Sequence, residues 1–276
     1  MSKIIVAGGT GDLGSRICKS LVENGASVHV VARTAPKQKL SGVTYHQVDY
    51  TNTNNLVNVC KEASCVVSAL SGVRKVIVDV QSRLLNAAME AGVTRFIPSD
   101  YCIDYRPLEH GGNRNLDLRR EFSTIADSSG IKVTSILNGM FTDLLRDQAP
   151  VILKKQKRIF FWGDADQKMD FTSIRNTAQV TALTALDDTS PRWVRIAGEE
   201  ASMHDLRRIA SRVFGQEFKM LRPGGLNAFN IVINVARTFA PGRKEAFPAW
   251  QGMQYWHDML SGKPNIEMSR ITVTNR

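Results

Sequence analysis

The chain is poor in cysteine and has no long apolar run. Its four cysteines, at 18, 60, 65 and 102, are too few and too scattered for a disulfide framework. The gap between Cys60 and Cys65 is not a zinc-ligand spacing, so core thiols are expected and no metal site. No stretch approaches the roughly 20 uninterrupted apolar residues of a membrane span. The opening MSKIIVAGG enters an apolar segment without the layout of a secretory leader, and a cytoplasmic chain is expected. Internal repeats and low-complexity linkers are absent. Acid is missing in one informative place, for no Asp or Glu lies between Glu23 and Asp49.

Base is what the chain has in excess. The formal charge is +10 over 276 residues. Residues 1–150 hold 17 Lys and Arg against 14 Asp and Glu, and the rest hold 19 against 12. Such a surface favours anionic partners. The densest run, LKKQKR at 153–158, has no interleaved aromatics and reads as a solvated face rather than a nucleic-acid surface. With 43% hydrophobic and 22% charged residues, the composition is that of a globular chain able to bury a sizeable core.

Short β-rich runs alternate with helix-length amphipathic segments through the first half. Strands are expected at 3–8, 27–33, 43–49, 65–70, 93–99 and 132–139. Helices are expected at 12–25, from about 52 (capped by Thr51 or Asn52), at 75–92 and at 115–130. This alternation predicts an α/β fold with a doubly wound parallel sheet, the NAD(P)-binding Rossmann fold. Beyond about residue 140 the pattern is mixed, so a Rossmann domain over 1–150 and a smaller α+β substrate lobe over 151–276 are expected.

The run VAGGTGDLGS (6–15) carries the strongest motif. Gly9-Thr10-Gly11-Asp12-Leu13-Gly14 satisfies G-x-G-x-x-G, and Gly8, Gly11 and Gly14 satisfy G-x-x-G-x-x-G. It follows an expected strand and opens an expected helix, the context in which glycines let backbone approach a pyrophosphate at a helix N-terminus. Gly8, Gly11 and Gly14 would hold the pyrophosphate, with Thr10 to Leu13 supplying backbone donors. The residue some 20 positions on separates the two nicotinamide cofactors: an acid takes the ribose hydroxyl of NAD, a base the 2′-phosphate of NADP. Arg33 stands there, with Lys37 and Lys39 in the same loop, and NADP(H) is expected on Arg33 and Lys37. A merely solvent-facing Arg33 would leave the missing acid unexplained. Asp49 either approaches the adenine or caps the next helix. Ala69, Leu70 and Ser71, small or apolar residues ending the fourth strand, would let the cofactor lie across the sheet edge.

With GGTGDLG (8–14), Arg33 and TRFIPSDY (94–101), the chain resembles the NmrA-like and isoflavone-reductase-like branch of the short-chain dehydrogenase superfamily. SSGIKVTSILNGMFTDLL (128–145) and DADQKMDFTSIRNTAQVTALTALDD (164–188) are similar to later segments of that branch. The resemblance covers about the first 190 residues. It implies an NADP(H)-binding protein with its pocket between a Rossmann domain and a smaller lobe. The branch holds both reductases and cofactor-sensing regulators.

Two departures bear on chemistry. The superfamily's Tyr-x-x-x-Lys dyad is absent, since Tyr105 follows Tyr101 by four and Glu109 follows Tyr105 by four. In the isoflavone-reductase-like enzymes a lysine stands four residues before a paired Arg-Arg. Matching that pair to Arg119-Arg120 puts Asn115 in its place. Hydride delivery to an ordinary carbonyl creates an alkoxide needing a proton donor, whereas a quinone or enone spreads the charge. Ser99, Asp100 and Tyr101 are the candidate catalytic residues, near where the nicotinamide should rest, with His110 and Asn138 behind them. Tyr101 is the first choice for proton donor or substrate hydrogen bond, or else packs under the following loop. His110 is a titratable loop residue or simply exposed. Asn138, Met140 and Phe141 are candidate substrate residues, and WQGMQYWHDM (250–259) lines the cleft or belongs to the core. The reading is an NADP(H)-dependent oxidoreductase acting on a small aromatic, quinone-like or enone-like acceptor. The alternative is a non-catalytic NADP(H) sensor acting through a protein partner.

Overall fold

The runs KIIVA, SVHVVA, VTYHQ and CVVS are short and rich in β-branched residues, as strands of a covered parallel sheet require. They form β1 (Lys3–Ala7), β2 (Ser27–Ala32), β3 (Val43–Gln47) and β4 (Cys65–Ser68). Helix α1 (Asp12–Glu23) ends at Asn24, followed by Gly25 at φ 77°, the left-handed turn that stops a helix. Helix α2 (Thr53–Cys60) is capped by Asn52, whose side chain accepts from the Asn55 amide. The structure, a computed structural model, describes residues 1–36, 38–146, 148–242 and 244–264.

The helix expected over 75–92 has two parts. A π-helical turn, Lys75–Val80, leads into α3 (Gln81–Glu90). The β-branched Val76, Ile77, Val78 and Val80 weaken the α preference there. Gln81 completes the turn: its amide nitrogen donates to Val76 O, and its side chain takes Ile77 O at 2.9 Å. Next come β5 (Arg95–Ile97), α4 (Arg114–Asp127), β6 (Lys132–Val133) and β7 (Ser135–Leu137). The single strand expected at 132–139 is therefore split. Thr134 N still bonds Phe96 O of the main sheet, but Ser135 N turns to Arg192 O. The remaining elements are β8 (Met140–Phe141), β9 (Ile152–Leu153), β10 (Arg158–Phe160), β11 (Met169–Thr172), α5 (Ile174–Leu186), β12 (Trp193–Arg195), β13 (Glu199–Ala201), α6 (Met203–Phe214), β14 (Lys219–Leu221), α7 (Leu226–Phe239) and α8 (Ala249–Leu260).

These elements group into two units. The first comprises Met1–Tyr101, Leu116–Leu137 and Ile174–Val194; the second comprises Cys102–Asn115, Asn138–Ser173 and the residues from Arg195 on. In the first unit six parallel strands run in the order β3-β2-β1-β4-β5-β6. Ile5, Ala7, Val31, Val66 and Phe96 point to one face, where they pack with Leu56 of α2, Leu84 and Leu85 of α3 and Phe122 of α4. α5 packs on α1 and β4. Buried Arg95 of β5 donates to Thr184 O and Ala185 O, ending α5 with a cation on its last carbonyls. All four cysteines are free and buried. Burial pushes the Cys18 and Cys65 thiols up to about 12 and Cys60 to about 11.

The second unit holds two three-stranded sheets, β14-β10-β9 and β13-β11-β8. α6 packs on β10 and β13 and carries a reciprocal cap between Ser202 and Asp205, while α7 packs on α8. Among the described residues no helix is long and apolar enough to cross a membrane, and no three His, Cys, Asp or Glu group to hold a metal ion.

Candidate dinucleotide site

At the carboxyl end of β1, two glycines of the motif are required by contacts within the protein and a third is not. Gly8 has φ 79°, and a Cβ there would lie 2.4 Å from Ala69 O. A Cβ at Gly14 would lie 2.2 Å from Gly8 O, so only glycine lets α1 begin this close to β1. Gly11 differs, because a Cβ would meet only Gly8 O at 3.5 Å. Nothing in the protein needs its bareness, which points to something outside the protein coming near.

Gly11 is the N-cap of α1 and has no side chain to offer. The amides of Asp12, Leu13 and Gly14 precede the first amide with a helical partner, Ser15 N on Gly11 O, and no side chain caps them. The Asp12 carboxylate is committed to Arg16 at 2.7 Å. Thr10, Gly11 and Asp12 are exposed. A bare helix N-terminus at a glycine turn is a place for an anion, and these backbone donors fit a pyrophosphate.

Arg33 follows β2, exposed, and makes no ion pair among the described residues, its carbonyl accepting from Gln47. Lys39 is exposed as well, and Lys37 lies outside the described residues. Asp49 is exposed and does not cap α2, that place being Asn52's; it accepts instead from Thr51 N at 2.9 Å, a bond that holds its carboxyl below the ordinary range. Ala69 N bonds Ala7 O at 2.8 Å, closing β4 against β1, and Ser71 is exposed beyond it.

Ser99, Asp100 and Tyr101 end β5 in the same unit. The Ser99 hydroxyl donates to Leu70 O at 2.6 Å and its amide to Gln81 Oε1 at 2.9 Å. Arg119 of α4 donates to Asp100 O at 2.7 Å. Tyr101 is buried at φ 31°, a left-handed conformation that a side chain adopts only under constraint from its surroundings. Its hydroxyl makes no hydrogen bond of good geometry among the described residues, the Thr181 hydroxyl being the side chain that acts on it, and burial pushes the phenol far above its ordinary range. Gln81 and Arg119 were not among the expected site residues. A lone glutamine in a helix gives no sequence signal, whereas Arg119 was visible as half of the Arg-Arg pair but not as the clamp on this turn.

The other candidates belong to the second unit. Asn138 is buried, its backbone amide bonded to Cys102 O, and its side-chain oxygen has no hydrogen-bond partner among the described residues. Met140 and Phe141 are half-buried on β8, opposite Phe171 and Thr172. Of the aromatic cluster, Trp250 is buried while Tyr255 and Trp256 are partly open. His110 is exposed. Asn115 is buried, donating to Ala246 O and accepting from Arg114 Nε, so an amide that cannot titrate stands at the lysine's place.

The strand order and the glycine turn at the central strand define the class of protein, a doubly wound Rossmann fold of the NAD(P)-binding type. Within that class the chain belongs to the NmrA-like family, whose model matches residues 1–223. Pinoresinol reductase 2 of Arabidopsis thaliana is 28% identical over 206 residues, a match covering 67% of this chain and 65% of that protein. Just under two thirds of the relative's length is therefore matched. An isoflavone reductase structure superposes with a TM-score of 0.81 at 17% identity, covering 97% of this chain and 90% of the other. An NADPH-dependent quinone oxidoreductase from Escherichia coli, complexed with NADPH, gives 0.74 at 19% identity, covering 95% and 91%.

Proposed function

We propose that the chain is an NADP(H)-dependent oxidoreductase that reduces a small aromatic, quinone-like or enone-like acceptor. The observation that carries this reading is the uncapped N-terminus of α1 behind Gly8, Gly11 and Gly14, with exposed Arg33 free of any acidic partner. The relatives support it, being reductases by name, one of them acting on quinones. Gly8 to Gly14 would hold the pyrophosphate, Arg33 with Lys37 the 2′-phosphate, Asp49 the adenine side, and Ala69 to Ser71 the edge along which the dinucleotide runs. The bound cofactor supplies a hydride.

The chain's own part is then to receive the acceptor and manage one proton. The Ser99 hydroxyl proton is committed to Leu70 O, so it positions rather than donates. Tyr101 stays protonated throughout the ordinary pH range and, with the Ser99 proton committed, is the hydroxyl left to donate. With Asn115 where a lysine would stand, no strong acid assists an alkoxide. An acceptor that delocalises the incoming charge fits this economy of groups. Asn138, Met140 and Phe141 are proposed to contact the substrate, and the cytoplasm is the proposed location.

Calorimetric titration with NADPH and NADH, on the native chain and on Arg33→Ala, tests the cofactor. NADPH should bind more tightly, and the variant should lose about tenfold or more of that preference, in keeping with a charge-assisted contact worth about 1.5–3 kcal/mol. NADPH consumption against quinones and enones tests the chemistry. Tyr101→Phe should lower kcat by about a hundredfold or more while changing stability little, because its buried hydroxyl makes no hydrogen bond of good geometry among the described residues. Binding without turnover on any acceptor would move the assignment to the cofactor sensor, and equal affinity for both dinucleotides would end the NADP(H) reading.

A further inference from the structure

In the second unit, two guanidinium groups share one indole. Arg114, the first residue of α4, lies 4.8 Å from the ring centroid of Trp250 on α8, and Arg237, in the last turn of α7, lies 5.5 Å from it. Trp250 is only 3% exposed and its Nε1 donates to Pro241 O, so the ring is a fixed platform. Arg114 is committed along one edge, with Nε on Asn115 Oδ1 at 3.1 Å and one Nη on Glu245 O and Ala246 O at 3.0 and 2.9 Å. Its other Nη makes no hydrogen bond among the described residues. Arg237 is exposed and makes neither hydrogen bond nor ion pair among them.

The acids nearby do not answer this charge. Asp258 is held by Asn113 at 2.8 Å and by His257 at 3.5 Å, and Glu245 meets Arg114 only through its carbonyl. Burial lowers the pKa of Arg114, and the charge of Arg237 lowers it further. Like charges kept together on a platform, one fork anchored and the other open, repel each other until a counter-charge arrives. The planar fork of arginine matches the paired oxygens of a carboxylate or phosphate, and an aromatic face beneath it orders the fork beforehand. Arg114 stands at the positive end of a 14-residue helix, whose first turn also carries Asp117.

We propose that Arg114, Arg237 and Trp250 form a binding site for the oxyanion of a small organic molecule, a carboxylate or a phosphate ester. Asn115, in the place where the relatives' lysine is expected, is the residue that holds Arg114 in this pose. The proposal does not rest on the redox reading, since occupancy of the site is measurable without a dinucleotide.

Titration calorimetry of the full chain, free of dinucleotide and at constant ionic strength, separates the sources of the anion, with benzoate in one arm and inorganic phosphate in the other. At least one should bind with 1:1 stoichiometry, benzoate the tighter if the ligand is a carboxylate and phosphate if it is an ester. Arg237→Gln should weaken that binding about tenfold or more with a melting temperature little changed, since the side chain is exposed and gives up only its contact with the Trp250 ring. Trp250→Phe should weaken it less, keeping an aromatic platform. The proposal falls if neither anion binds at about 10 mM, or if Arg237→Gln binds as the native chain does.

Discussion

Two turns end neighbouring regions of the same parallel sheet, and they are built in opposite ways. The turn after β1 is made of backbone: four glycines within seven residues, a bare helix start and no side-chain clamp. The turn after β5 is made of side chains, with Gln81 on the amide of Ser99, Ser99 on Leu70 O and Arg119 on the carbonyl of Asp100. The first leaves its donors uncapped. The second consumes most of its donors and leaves the phenol of Tyr101. A glycine turn is suited to a ligand that needs many equivalent amides, whereas a clamped turn holds one chemical group in one conformation at the cost of strain in the backbone.

The sharpest way to break this comparison is Gly14→Ala. Its Cβ would enter the backbone of Gly8, and a destabilisation of about 1–3 kcal/mol or more in urea unfolding is expected, together with loss of dinucleotide binding. Arg119→Met keeps the apolar stem and removes the charge-assisted bond to Asp100 O, for an expected loss of about 1.5–3 kcal/mol by the same measurement. If that variant unfolds like the native chain, the second turn is not clamped as described. Gly11→Ala should leave the melting temperature unchanged and weaken NADPH binding about tenfold, because only a ligand needs that space. Equal losses of stability at Gly11 and Gly14 would erase the distinction between the two glycines.

The smallest effect concerns pH at the far edge of the sheet. His29 on β2 and His46 on β3 stack, with ring nitrogens 2.9 Å apart. Burial first, and the charge of Lys3 next, hold both imidazoles below the ordinary value of 6.5. As the pH falls below 6.5 the unfolded chain takes up protons that the folded pair resists, so stability present above that value is lost as the pH drops through the folded-state values. The double variant His29→Gln, His46→Gln should flatten the dependence of the urea midpoint on pH between roughly 5 and 7. An unchanged slope would show that the pair does not titrate as a unit.

The alternation of elements, the parallel sheet and the glycine turn were legible because they depend on residues close in sequence. Strand and helix periods repeat within a few residues, and a turn at positive φ needs glycine wherever it occurs. The exposed position of Arg33 just past β2 was legible for the same reason, at a set distance past the motif in a stretch without acid. Three features were not legible: the π-helical turn before α3, the switch of partner at Thr134, and the clamp on Ser99 to Tyr101. Nor could sequence show that Asn52 rather than Asp49 caps α2, since both are good caps and a single hydrogen bond decides between them.

By itself the sequence therefore determined the doubly wound parallel sheet and the glycine turn at its first strand, both set by local backbone preference and short-range pattern. Tertiary structure alone decided which side chains meet. Gln81 reaches Ser99 across 18 positions, Arg119 reaches Asp100 across 19, and Arg114 reaches Ala246 across 132. No local period encodes such pairs. They arise only when packing brings distant segments within hydrogen-bond reach, and burial then makes each unmet polar group costly enough to fix its partner.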